Sequence, residues 1–255
     1  MEQLLAGVVA VVTGAAGGIG AAVGRALTAE GAAVAALDRD QSRLAETASR
    51  SGAAPYPIDV ADPDAVDDAI ERIEARLGPI GVLVNAAGVL VPGPATAISD
   101  RDWHDTFAVN TTGVFHMCRA VIARMRPRRD GAVVTVASNA TGVPRTGMAA
   151  YAASKAAAVA YTMCLGLEVA RDGIRCNVVS PGSTDTRMLH QLWTDGTGPR
   201  DTVDGRPDQF RTGIPLGRIG APDDVAEAVV FLASRRARQI TLQNLYVDGG
   251  AALRM

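Results

Sequence analysis

Short β-rich apolar runs alternate with helical stretches along this chain, at Val8 to Val12, Ala33 to Leu37, Pro55 to Ile58 and Ile80 to Val84. Parallel strands need long crossovers, and helices supply them, so the rhythm predicts an α/β domain with helices packed on a parallel sheet. It continues with a helical region from about Asp100 to Met125, a strand at Ala132 to Ala137, a helix from about Tyr151 to Arg171, a strand at Ile174 to Val179 and a seventh near Leu245 to Val247. Ser99 or Asp100 supplies a cap where the first of these helices starts, and Pro222 with Asp223 and Asp224 opens another that ends near Ser234. Between Ser183 and Gly213 the pattern gives way to a polar stretch with isolated Met188, Leu189, Leu192, Trp193 and Phe210. Such a segment is too long for a plain connection, and its scattered apolar residues suggest a lid over about residues 183–213.

Composition removes several classes of function. At 255 residues, with 48% hydrophobic and 20% charged residues, the chain can bury one large core. A net charge of -2 leaves no basic field for nucleic acid. Cys118, Cys164 and Cys176 are odd in number and widely spread, which predicts neither disulfides nor zinc and suits a reducing compartment. His104, His116 and His190 lack partners at metal-ligand spacing, so no metal site is expected. With neither a signal-like amino terminus nor an apolar run of about 18 residues, the expectation is a soluble cytoplasmic protein without membrane contact.

The first strand runs into Thr13-Gly14-Ala15-Ala16-Gly17-Gly18-Ile19-Gly20, and a helical pattern begins at once. Missing Cβ atoms at Gly14, Gly18 and Gly20 let the backbone turn tightly and let a pyrophosphate approach the helix amino terminus, whose free N–H groups attract anions. This is a dinucleotide-binding turn, and it makes the fold a single doubly wound Rossmann-type domain spanning 1–255. Asp38, at the end of the second strand, is placed to accept hydrogen bonds from a ribose and to repel a 2′-phosphate, which favours NAD over NADP. The neighbouring Arg39 pulls the other way. Asp59, next to Val60, is placed for the adenine edge or as a cap for the helix at Asp62-Pro63. Asn85-Ala86-Ala87-Gly88 offers small residues for a backbone lying flat against the cofactor.

Lys155 is the single lysine in a chain whose other basic side chains are arginines, and it follows Tyr151 by four residues. On a helix that spacing sets a phenol and an ammonium on one face, about 5–6 Å apart at Cβ, where the charge can favour a phenolate. Taken alone, the pair reads equally well as a solvated helix face. Ser138 lies thirteen residues earlier at the end of the fifth strand, where α/β sheets place ligands, and can donate to a substrate oxygen. Asn110 can organise a proton relay behind Lys155.

Together these stretches, with Ser180-Pro181-Gly182 and Val247-Asp248-Gly249-Gly250, resemble the short-chain dehydrogenase/reductase family over nearly the whole chain. The resemblance implies that Tyr151 is the acid/base, that Lys155 lowers its pKa and binds the nicotinamide ribose, that Ser138 polarises the reacting oxygen and that Asn110 holds a water in the proton path. It implies cofactor contacts from Gly14, Gly18, Ile19, Gly20, Asp38, Asp59, Val60, Asn85, Ala86, Gly88, Pro181, Gly182, Ser183 and Thr184, and a homotetramer. Non-enzymic NAD-binding regulation and ketoreduction on acyl carriers are the competing readings.

A narrower likeness rests on Val143-Pro144-Arg145-Thr146-Gly147-Met148, Gly182-Ser183-Thr184-Asp185-Thr186, Arg175-Cys176-Asn177-Val178-Val179, Gly213-Ile214-Pro215-Leu216-Gly217 and Ile240-Thr241-Leu242-Gln243. These are similar to the branch of the family that oxidises 2,3-dihydro-2,3-dihydroxybenzoate to 2,3-dihydroxybenzoate for siderophores. The likeness implies a ring carboxylic acid as substrate, with Arg145 pairing its carboxylate and Val143 and Met148 walling the ring beside Ser138. Gln243 is read as an interface or carboxy-terminal contact. That branch tends to carry an arginine after Asn-Ala-Ala-Gly, where this chain has Val89-Leu90-Val91-Pro92, and the departure opens 2,3-dihydro-3-hydroxyanthranilate as an alternative.

Overall fold

Strands with apolar side chains on both faces persist only where both faces are covered. In chain order they are β1 (Val9–Thr13), β2 (Ala33–Asp38), β3 (Ala54–Pro57), β4 (Ile80–Asn85), β5 (Gly131–Val136), β6 (Ile174–Pro181), two short strands β7 (Gly205–Arg206) and β8 (Arg211–Thr212), and β9 (Asn244–Val247). In the computed structural model, which describes residues 3–193 and 196–253, seven of them form one parallel sheet in the order β3-β2-β1-β4-β5-β6-β9. β7 and β8 pair antiparallel as a separate hairpin. This is the single Rossmann-type domain that the alternating pattern predicts.

Successive strand residues serve opposite layers, as the period of two requires. Ala10 and Val12 of β1, Val82 and Val84 of β4, and Ala132, Val134 and Val136 of β5 join a core with helices α1 (Gly18–Ala29), α2 (Gln41–Ser51) and α9 (Pro222–Ala233). Val9 and Val11, Leu83 and Val133 join the other core, with α3 (Pro63–Leu77), α5 (Gly113–Met125) and α6 (Ala149–Val169). Each fully buried Leu, Ile or Met in these layers contributes about 1.5–3 kcal/mol, and Leu27, Ile73 and Met117 are among them.

Helix ends are fixed by named side chains. Asp40 accepts from the Arg43 amide at the start of α2, and Asp62 accepts from the Asp64 and Ala65 amides ahead of Pro63. The cap of α3 is therefore Asp62, while Asp59 turns to the Ala61 amide at 2.9 Å. At the other end of α9, the Arg175 guanidinium donates to the carbonyls of Leu232, Ala233 and Ser234, so this arginine closes a helix.

Two regions depart from the expected pattern. The helical stretch from Asp100 to Met125 is interrupted: α4 (Asp100–Phe107) passes into a π-helical turn at Ala108–Thr112 before α5 begins. The turn holds Asn110 inward, where its side chain bonds to two other segments. The stretch after β6 is not featureless, because it contains α7 (Arg187–His190), α8 (Pro199–Asp204) and the β7–β8 hairpin. Residues 194 and 195 of it lie outside the described residues.

Strand order reverses between β1 and β4, and a crevice opens there at the carboxyl ends of the strands. No helix among the described residues is long and apolar enough to cross a membrane.

Candidate active site

At the switch point a cavity of about 290 Å³ runs along Gly14, Gly18, Ile19, Gly20, Asp38 and Asp59, with Ala86, Ala87 and Gly88 on its other side. Its walls touch because side chains are missing. A Cβ on Gly20 would lie 2.2 Å from the Gly14 carbonyl oxygen, and one on Gly14 would lie 2.8 Å from the Ala86–Ala87 backbone. The Thr13 hydroxyl accepts from the Ala86 and Ala87 amides, each at 3.0 Å, and so ties the end of β1 to the loop after β4.

Side chains cap α2, α3 and α4, whereas no side chain caps α1. Its first amides face the groove at a point where the backbone can be approached closely, and such an end suits a pyrophosphate. The Asp38 carboxylate accepts from the Ala16 amide at 3.1 Å and the Asp40 amide at 3.0 Å, which fixes it at the groove's edge. Arg39 lies 3.9 Å from Asp59 in an exposed ion pair. The residues present therefore fit a nicotinamide dinucleotide. Asn85 is set back from the groove: it is buried, its amide nitrogen reaches Cys118 and Thr135 at 3.4 Å, and its side-chain oxygen has no partner.

Behind the groove lies a buried polar cluster. Lys155, only 4% exposed, donates to the Val136 carbonyl at 2.9 Å, and burial drops its ammonium to about 8. Burial pushes the Tyr151 phenol up, and its hydrogen bond with the Ser138 side chain opposes that rise. The Asn110 amide is fully engaged: Oδ1 accepts from the Val89 amide at 2.8 Å, and Nδ2 donates to the Val89 carbonyl at 2.9 Å and to Ser154 Oγ at 3.0 Å. Gly88 makes room for the cluster, since a Cβ there would meet Lys155 Nζ at 3.1 Å and Asn110 Oδ1 at 3.4 Å.

A second cavity, of about 110 Å³, adjoins the first through shared walls at Ile19, Thr186 and Met188. Ser138 and Tyr151 line it together with Pro181, Gly182, Ser183 and Thr184. Leu90, Ala140 and Tyr151 form a small apolar cluster there, with Met148, Met188 and Leu192 packed against it. Arg145 also lines this cavity, whereas Val143 is not among its lining residues. Leu189, Leu192 and Arg211 line it from the segment after β6. Sequence reading did not single out Arg211. The glycines at 205 and 213 bracketing a Pro-Asp-Gln-Phe turn were the available sign of a hairpin, but no local signal says that its last arginine reaches the pocket.

Among the described residues no three His, Cys, Asp or Glu side chains cluster as a metal site would require. What the geometry offers is a phenol beside a hydroxyl, opening onto a groove whose residues fit a dinucleotide. Known proteins agree with that chemistry. The family model described as enoyl-(acyl carrier protein) reductase matches residues 14–252. A 2,3-dihydro-2,3-dihydroxybenzoate dehydrogenase of Bacillus subtilis is 52% identical over 97% of each chain, and one of Escherichia coli is 44% identical over 95% of this chain and 96% of its own. A solved structure named as ribose-5-phosphate isomerase from Brucella melitensis 16M superposes with a TM-score of 0.89 at 36% identity, covering 98% of this chain and 94% of that one. The chain is an oxidoreductase and belongs to the short-chain dehydrogenase/reductase family, whose members typically use a nicotinamide cofactor.

Proposed function

We propose that this enzyme uses NAD to oxidise the ring 3-hydroxyl of a dihydro-aromatic carboxylic acid, with 2,3-dihydro-2,3-dihydroxybenzoate giving 2,3-dihydroxybenzoate. The observation that carries the reading is the make-up of the second cavity: Ser138 and Tyr151 at one end, apolar walls from Leu90, Met148 and Met188, and a cation at Arg145. A flat ring with a carboxylate and a carbinol matches that set, and two relatives of high coverage carry the corresponding name.

In the reaction the 3-hydroxyl proton passes to Tyr151 while the hydrogen on the same carbon leaves as hydride. The bound nicotinamide supplies the acceptor for that hydride. Ser138 holds the reacting oxygen, and Tyr151 takes the substrate proton as a phenolate, its own proton having left to solvent, while the Lys155 ammonium, still charged at neutral pH, favours that phenolate. Both hydrogens of the Asn110 side-chain amide are engaged by Val89 and Ser154, so a water in this path would be held by the remaining Asn110 acceptors. The ring ketone then tautomerises to the catechol, and aromatisation drives the oxidation.

Asp38 supports NAD, because a 2′-phosphate would meet a carboxylate held by two amides, while Arg39 is engaged with Asp59. Exposed Phe115 on α5, Leu167 on α6 and Leu245 on β9 support a homotetramer, which light scattering would measure. A cytoplasmic location and a role in siderophore supply go with this reading. Leu90, an apolar wall where an arginine is expected in the dihydroxybenzoate branch, favours a second substrate, 2,3-dihydro-3-hydroxyanthranilate. Purified enzyme with NAD and each acid decides: NADH and an aromatic product are expected from one of them, and no reaction with either refutes the assignment.

A further inference from the structure

The hairpin after α8 carries two arginines with different surroundings. Arg206 pairs with Asp208 at 2.6 Å. Arg211, its register partner across the hairpin, lines the Ser138–Tyr151 cavity together with Arg145. Among the described residues no carboxylate lies within ion-pair distance of Arg145 or Arg211. Both side chains are half-buried, and burial disfavours both charges. The Arg211 charge adds to the effect on Arg145, and the Arg206 charge adds to that on Arg211. Asp248 acts on Arg145 in the opposite sense, but its oxygens are occupied, accepting from the Asn139 side chain and from the amides of Gly250 and Ala252.

Like charges drawn partly out of water without a counter-ion are unfavourable until an anion joins them. An arginine free to swing would relieve this by extending into solvent. The backbone that carries Arg211 is instead pinned. Gly205 has φ +85, and a Cβ there would lie 2.6 Å from the Arg211 carbonyl oxygen. The Ile214 amide donates to the Val203 carbonyl at 2.8 Å, and the Thr212 hydroxyl donates to the Ala251 carbonyl at 3.0 Å.

We infer that Arg211 and Arg145 together clamp the carboxylate of the substrate, one arm on the loop ahead of α6 and the other on the β7–β8 hairpin. Arg211 is thus a specificity-determining residue of the pocket, held in place by the hairpin before the substrate arrives. Leu90 leaves one wall of the pocket apolar, and the second positive charge comes from the hairpin. The clamp rests on the ring-acid reading above.

The test compares two rings, 2,3-dihydroxybenzoate and catechol, which lacks the carboxylate. Their binding in the presence of NAD is measured for the natural enzyme and for Arg145→Gln, Arg211→Gln, Arg211→Lys and Arg206→Gln, with NAD affinity as the control for folding. Removing one charge-assisted contact should weaken the carboxylated ring by about 10- to 100-fold. Arg211→Gln should show that loss for 2,3-dihydroxybenzoate and none for catechol. Arg211→Lys should recover part of it, and Arg206→Gln, which relieves a neighbouring like charge, should keep the preference for the carboxylated ring. Equal loss of both rings, or no loss of either, overturns the clamp. Preference for the carboxylated ring through Arg211 without oxidation of either dihydro acid would keep the clamp and overturn the proposed reaction. Oxidation with a KM that Arg211→Gln leaves unchanged would do the reverse.

Discussion

The turn before α1 and the β7–β8 hairpin both border the crevice, yet they are built on different principles. At the turn, glycines lie against backbone, and the polar groups around it, Asp38 and Thr13, are each held by two amides. At the hairpin the backbone is equally pinned by Gly205 and Gly213, but the side chain presented to the cavity, Arg211, has no acidic partner among the described residues. A site that binds one unvarying cofactor can be completed by the protein. A site that must grip and release a changing substrate leaves a charge for the ligand to satisfy.

The comparison is broken most severely by removing the chemistry that lies between its two halves. Tyr151→Phe should lower turnover by about 10²–10⁴-fold while NAD affinity stays unchanged, as steady-state kinetics and cofactor titration would show. Comparable loss of NAD binding would mean that the two halves are not separable.

Glycine replacements then probe each half alone. Gly20→Ala places a Cβ against the Gly14 carbonyl and should abolish NAD binding together with stability. Gly205→Ala also places a Cβ against backbone, 2.5 Å from the Gly213 amide nitrogen in the hairpin, and should raise the KM for the ring acid while leaving NAD affinity intact. Identical effects of the two replacements on NAD would erase the distinction.

Burying the Lys155 ammonium carries a cost that depends on pH. Folding lowers the Lys155 ammonium from 10.5 to about 8, so at neutral pH both states carry the proton and the folded state bears the full penalty of burying it. Above pH 8 the folded protein releases that proton while the unfolded chain keeps it, and the penalty fades towards 10.5. Lys155→Met should therefore be more stable than the natural enzyme at neutral pH, by about 1–3 kcal/mol. The advantage should shrink by about pH 10, with activity lost throughout. Thermal melts at several pH values check the sign. A less stable variant at neutral pH would contradict it.

A smaller effect falls on cofactor choice. Asp38→Ser should narrow the preference for NAD over NADP by about 10- to 100-fold, read as the ratio of kcat/KM values.

Sequence reading reached the half of the molecule that is local. The β1–turn–α1 unit, the alternation of strands and helices that makes the parallel sheet and the helix carrying Tyr151 and Lys155 are each written in local runs of residues, although the role of the Tyr151–Lys155 pair needed Ser138 and Asn110 beside it. What it did not reach is made by contacts far apart in the chain. The π-helical turn at Ala108–Thr112 holds Asn110 in bonds to Val89 and Ser154, which no helical pattern displays. Asn85 looks like a cofactor residue in its motif, but it turns inward to Cys118 and Thr135. Arg211 was hidden by composition, because in a chain with a single lysine one more arginine carries no contrast.

The most direct test follows the hydrogen itself. Substrate carrying deuterium on the carbinol carbon at ring position 3 is oxidised with NAD, and the reduced cofactor is analysed by mass. Transfer from that carbon predicts deuterium in every molecule of NADH formed. Aromatic product accompanied by unlabelled NADH would contradict the mechanism, whatever the identity of the groups around the ring.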